Sequence, residues 1–265
     1  MSITGILWAV LIVAAVGLFI GVFLGIASVI FKVSTDEREE KITEVLPGNN
    51  CGGCGYPGCS GLAAAIVKGE APVNGCPVGG NEVGSKVAVI MGVEAVDTKR
   101  MTAFVKCRGN CDVSKSYYEY YGQADCQMLN FVPNRGPKSC NHGCQGFGTC
   151  VKACPFNAIH VDNGVAVVDK EICKACGKCI SVCPQHLIEL IPYDAKYAVA
   201  CSSKEKGAVT MKECDAGCIG CGLCKKNCPS EAINVVDFHA VIDYDKCTAC
   251  GTCLEKCKKQ SIVEH

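Results

Sequence analysis

The chain has 265 residues, a formal net charge of zero and 25 cysteines against a single tryptophan. That balance supplies no basic field for nucleic acid, and it suits two or three small domains and not one large core. A disulfide scaffold is excluded as well, because such scaffolds are short and secreted, whereas here the chain is long and the thiols fall in triplets too close to pair with one another.

Residues Ser2 to Phe31 carry no charged side chain and read Leu, Ile, Val, Ala, Phe and Gly throughout, long enough to cross a bilayer with some tilt. No positive start, short apolar run or small-x-small cleavage site marks a signal peptide. The nearest cations, Lys32, Arg38 and Lys41, all follow the stretch, which predicts an anchor over 1–33 with its N-terminus outside and the rest cytoplasmic. Gly17, Gly21 and Gly25 recur every four residues and predict a face on which another membrane helix packs closely. Asp36 to Leu46 predicts a short charged helix with Ile42, Val45 and Leu46 on one side, ended by Pro47 and Gly48.

A first cysteine group follows, Cys51, Cys54, Cys59 and Cys76, spaced C-x2-C-x4-C-x16-C among glycines. Four thiolates with freely turning backbone between them can wrap one iron–sulfur cube and aim amide N–H groups at its sulfurs. Ser60–Val67 and Asn81–Met91 predict helices that cover it, giving a small helical [4Fe–4S] domain over 34–95. Residues 96–139 read as a connector holding Cys107, Cys111 and Cys126, with Tyr117, Tyr118, Tyr120 and Tyr121 expected to pack against clusters.

From Cys140 the cysteines are written twice. Cys140, Cys144, Cys150, Cys154, Cys173, Cys176, Cys179 and Cys183 recur 74 positions later as Cys214, Cys218, Cys224, Cys228, Cys247, Cys250, Cys253 and Cys257, the mark of a duplicated module. The runs C-x2-C-x2-C-x3-C and their proline-marked tails resemble bacterial two-cluster ferredoxins, in which three thiolates hold one cube and the fourth reaches the other. Zinc instead prefers isolated C-x2-C pairs brought into tetrahedra. The predicted sets are Cys154 with Cys173, Cys176 and Cys179; Cys183 with Cys140, Cys144 and Cys150; Cys228 with Cys247, Cys250 and Cys253; and Cys218, Cys221 and Cys224 with Cys257. Phe147 stands where the second copy has Cys221, so Cys140 is taken as the replacement ligand and Cys214 as spare. The modules are expected over 140–190 and 214–265, with a connector over 191–213, and the fold class is α+β.

The predicted sets make five clusters. Each cube with its thiolates carries about −2, so the loaded protein would stand near roughly −10. Cys107, Cys111, Cys126, Cys201 and Cys214 are left over; four of them could hold a sixth cluster, or they could be buried inert thiols. Ligand thiolates are loaded where thiols stay reduced, which again points to the cytoplasm.

An apolar anchor, then Leu46-Pro-Gly-Asn-Asn-Cys-Gly-Gly-Cys-Gly-Tyr-Pro-Gly-Cys59, then ferredoxin modules: this order resembles the B subunit of the Rnf complex, the ion-translocating ferredoxin:NAD oxidoreductase of bacteria, in its longer variety. The resemblance implies a membrane assembly with other Rnf subunits, soluble ferredoxin as electron donor and NAD as the distant acceptor, with sodium ions or protons moved. Other settings for such a chain are a polyferredoxin arm of a membrane hydrogenase or formate dehydrogenase, or a sensor without turnover, although no output domain is written here. No G-x-G-x-x-G offers a nucleotide site. His142, His160, His186, His239 and His265 show no metal spacing among themselves, and His142 beside Cys140 is expected at the surface. Lys225, Lys226, Lys256, Lys258 and Lys259 gather round the second copy's ligands as a candidate landing patch for an acidic donor.

Overall fold

A computed structural model describes residues 3–30, 36–95 and 97–265. Helix α1, Ile3–Ile30, is 28 residues long and uncharged. Side chains along it are described without a break only from 11 to 27, and among the described residues no helix is long and apolar enough to cross a membrane. Ser2, Phe31, Lys32 and the end of the expected anchor lie outside the described residues.

The N-terminal lobe holds α2 (Glu37–Val45), α3 (Cys59–Val67) and α4 (Gly80–Met91). Asp36 caps α2 by accepting the Arg38 amide at 2.9 Å, which satisfies one of the free N–H groups of the first turn. The side of α2 expected to be apolar is the one that packs: Ile42 and Leu46 are buried with Leu62, Ile66 and Val87.

Two ferredoxin-like units follow. In the first, β1 (Met101–Val105) runs antiparallel to β4 (Ile188–Pro192), and β2 (Ile159–Asp162) forms a hairpin with β3 (Val165–Val168). Helices α5 (Thr149–Ala153) and α6 (Lys178–Val182) lie between. The second unit repeats this with β5 (Tyr197–Val199) on β8 (Ile262–Glu264), and β6 (Ile233–Val236) on β7 (His239–Ile242). Its helices are α8 (Leu223–Lys226) and α9 (Thr252–Lys256), preceded by α7 (Gly207–Glu213). Each unit has its own core: Ala103, Ile159, Leu187 and Ile188 in the first, and Val199, Ile233, Ile242 and Ile262 in the second.

The strand pairing moves the unit boundaries. β1 lies inside the stretch read as a connector over 96–139, and β5 inside the connector read over 191–213. Both first strands are short and are completed only by the last strand of their unit, a pairing that nothing local announces. A fragment of residues 97–193 is therefore expected to protect backbone amides within 188–191 in hydrogen exchange once loaded with iron, whereas residues 140–193 alone leave β4 unpaired and those amides unprotected.

Candidate iron–sulfur sites

Cys154, Cys173, Cys176 and Cys179 lie together, and so do Cys228, Cys247, Cys250 and Cys253. Cys179 has Cys173, Cys176 and Cys154 as electrostatic neighbours, and burial pushes its thiol up to about 11. Amides of Ala103, Ala158 and Ala175 donate to sulfurs of this set at 3.4 to 3.5 Å. Ala175 reaches Cys173 by taking a left-handed φ of 52°, and its repeat counterpart Ala249 has 54°. A side chain in that region costs about 1–2 kcal/mol, a strain typical of loops held for function. In the second copy Cys253 is raised chiefly by burial, with Cys247 and Cys250 beside it. Cys250 is the exposed member and Cys228 is half-buried. Burial is too slight at Cys228 to outweigh donation from Ser230 and Ala232, so its thiol is lowered, and Thr252 lowers Cys250.

Cys218, Cys221, Cys224 and Cys257 line one cavity, with Lys256, Lys258 and Lys259 at its wall. Its counterpart in the first copy departs from expectation. The cavity between α5 and α6 is lined by Cys126, Cys144, Cys150 and Cys183, and Cys140 is elsewhere. Burial pushes Cys150 up to about 12, with Cys144, Cys126 and Cys183 adding to it. Cys126 arrives because its amide donates to the Thr149 hydroxyl at 2.9 Å, and that hydroxyl donates to Asp125. A long-range tether thus supplies the thiol that Phe147 displaces. The Phe147 ring meets Tyr120 instead, with centroids 5.4 Å apart.

Cys140 joins Cys107, Cys201 and Cys214 around a third cavity. Cys107 follows β1 by two residues and Cys201 follows β5 by two, while Cys140 and Cys214 are repeat mates. Each unit therefore offers an equivalent pair of thiols to one site at their junction. Burial pushes Cys140 up to about 12 and Cys201 up to about 11. The junction is wired on both sides by amides: Cys144 N–H donates to Cys107 Sγ, and Cys218 N–H to Cys201 Sγ, each at 3.3 Å. Cys214, read as spare, lines this cavity with the other three, and His142, half-buried at the wall, faces Glu205 at 3.6 Å.

In the N-terminal lobe Cys76 is raised by burial first, with Cys59 and Cys51 beside it, and accepts the Gly79 amide at 3.4 Å. This set leans on the first ferredoxin unit. A Cβ on Gly53 would stand 2.6 Å from the Cys176 carbonyl oxygen, so only glycine permits the approach, and Cys51 is an electrostatic neighbour of Cys176. Cys111 is exposed and belongs to none of the six sets. Tyr117 and Tyr121 are exposed too, against the expectation that they pack on clusters.

Four convergent thiols, apolar walls and inward amides are the donor chemistry of a [4Fe–4S] cube. Among the described residues no group of His, Cys, Asp or Glu is gathered to hold a single metal ion; a cube's ligands surround a core several atoms across and stand farther apart.

Family models for iron–sulfur domains match four stretches of the chain. An Fe-S cluster family matches residues 46–78, 4Fe-4S dicluster domains match 172–232 and 217–262, and the LdpA Fe-S cluster-binding domain matches 136–194. Over 98% of its length the chain is 42% identical to the B subunit of the Na(+)-translocating ferredoxin:NAD(+) oxidoreductase complex of Acetobacterium woodii, covering 78% of that protein. It belongs to the B-subunit family of ion-translocating oxidoreductase complexes. The Methanosarcina acetivorans member of this family is 41% identical over 96% of both chains. The B subunit of the proton-translocating ferredoxin:NAD(+) oxidoreductase complex of Clostridium ljungdahlii is 39% identical over 97% of this chain and 92% of its own.

Proposed function

We propose that this protein is an electron relay of a membrane-bound ion-translocating ferredoxin:NAD oxidoreductase, holding six [4Fe–4S] clusters and performing no substrate chemistry of its own. The observation that carries the reading is the unbroken order of the thiol sets. The lobe set touches the Cys154 set through Gly53. The Cys154 and Cys126 sets share the first unit, the junction set is bonded to both units, and the Cys218 and Cys228 sets share the second. When bound, such clusters supply one-electron carriers whose potentials follow charge, hydrogen bonding and exposure. The chain's own part is to hold them in series and exclude water.

On this reading Cys126 and Cys140 serve different clusters. Cys126→Ser and Cys140→Ser are each expected to lower anaerobic iron content by about 4 from about 24 per chain, the double variant by about 8, and Cys111→Ser by none. Equal losses in the single and double variants would place both thiols on one cluster.

Helix α1 is proposed to anchor the chain in the cytoplasmic membrane, N-terminus outside, against other members of the complex. Gly17 and Gly21 present no neighbour within 4 Å to an added Cβ within this chain, which suits close approach of a partner helix. Gly21→Leu is expected to abolish co-purification with the membrane subunits and leave iron content intact.

Electrons are proposed to enter at the second unit from reduced ferredoxin and leave through the lobe next to α1. Lys225, Lys226, Lys256 and Lys258 are exposed, Lys259 is half-buried, and three of the five line the Cys218 cavity. Soluble ferredoxins are acidic, and such a cluster of cations steers them. Reversing the five charges is expected to slow reduction by ferredoxin at least about tenfold at low salt, with the effect shrinking as salt rises, while reduction by a small neutral donor is unchanged. Unaltered ferredoxin rates at low salt would exclude this face as the docking surface.

A further inference from the structure

Lys138 is the anomaly of the first unit. It is 6% exposed, and among the described residues it makes no ion pair. Its Nζ instead donates to the carbonyls of Gly109 and Gly164, both at 2.6 Å. Burying an ammonium without a carboxylate is costly unless other negative charge lies close. The two carbonyls place it between two thiol sets. Gly109 donates its own amide to Cys107 Sγ at 3.3 Å, and the turn at Gly164 opens the strand β3 that packs on Cys144 and Cys150. Cys144 lies close enough for the ammonium to oppose the upward push of burial on its thiol.

The second copy lacks this arrangement. Lys212, the repeat mate of Lys138, is exposed, and Phe238 occupies the position of Gly164. A Cβ on Gly164 would meet Cys111 Sγ at 2.5 Å and lie 3.6 Å from Lys138 Nζ. A Cβ there would displace Cys111 and make only ordinary contact with the ammonium, so the glycine is what lets Cys111 lie over this turn, and only the first copy has it.

We propose that Lys138 is an electrostatic tuning residue that raises the reduction potential of the cluster held by Cys126, Cys144, Cys150 and Cys183. An added electron makes a cube more negative, and a fixed cation in a water-poor interior stabilises that state. This inference rests on the cluster reading above.

The test is an anaerobic redox titration of the full-length holo-protein followed by electron paramagnetic resonance, with the signal absent from Cys150→Ser identifying the cluster. If Cys150→Ser loses neither iron nor signal, the cluster reading fails and with it the inference. Given that loss, Lys138→Met with full iron content is expected to shift the identified signal negative by the equivalent of tenfold or more in its oxidised-to-reduced ratio, about 59 mV for one electron, while Lys138→Arg leaves it in place. Cys111→Asp reaches the same ammonium from the surface without removing it, and is expected to shift the signal in the same negative direction where Cys111→Ser does not. Unchanged potential in fully loaded Lys138→Met overturns the proposal. So does unchanged potential in Cys111→Asp, should Lys138→Met fail to load.

Discussion

The rest of this fold depends on drawing sets of four thiols together against apolar walls. Apolar walls that exclude water also push the sulfurs away from ionisation: Cys140 and Cys150 stand up to about 12, and Cys144, Cys179, Cys201 and Cys224 up to about 11. Only a cation can make such groups thiolates at neutral pH, so iron loading expels protons and its binding energy is at the same time folding energy. The three apolar cores bear this out in composition, since each has ligand cysteines packed into or against it. A chain with 10 prolines, 29 glycines and short strands could not otherwise bury enough surface to offset its ordering entropy.

The junction between the units is where structure and electron transfer share parts. Ser139 Oγ donates to the Lys115 and Glu213 carbonyls, Lys115 N–H donates to the Glu213 carbonyl, and Arg108 reaches the Gln260 carbonyl at 2.7 Å. These bonds hold the second unit against the first without help from metal. They fix the geometry in which two equivalent cysteine pairs face one another, so the duplication of the module creates a site that neither copy possesses alone.

Much of this was legible. The C-x2-C-x2-C runs carry their partners a fixed distance away, and helix α2 announces itself by Asp36 and by the spacing of Ile42 and Leu46. What could not be read locally was decided by distant contacts. Cys126 replaces the thiol lost at Phe147 through Asp125 and Thr149, and chain order gives no hint that it and not Cys140 makes that reach. The junction site needed β1 and β5 to be seen as strands. The one local signal was faint: Phe104-Val105 and Ala198-Val199 each precede a cysteine, Cys107 and Cys201, by the same two-residue step. Lys138 could not be distinguished from Lys212 by the repeat itself, because one is buried and the other exposed through contacts that the spacing does not show.

The central claim is that two ferredoxin units and a helical lobe hold one continuous series of six clusters, the junction cluster included. Native mass spectrometry of the intact, anaerobically prepared chain tests it most directly, since each cluster adds a discrete mass. The account predicts a dominant species carrying six [4Fe–4S] clusters that falls to five in Cys201→Ser. A fully folded dominant species with five clusters in both the parent and the Cys201→Ser chain would contradict it.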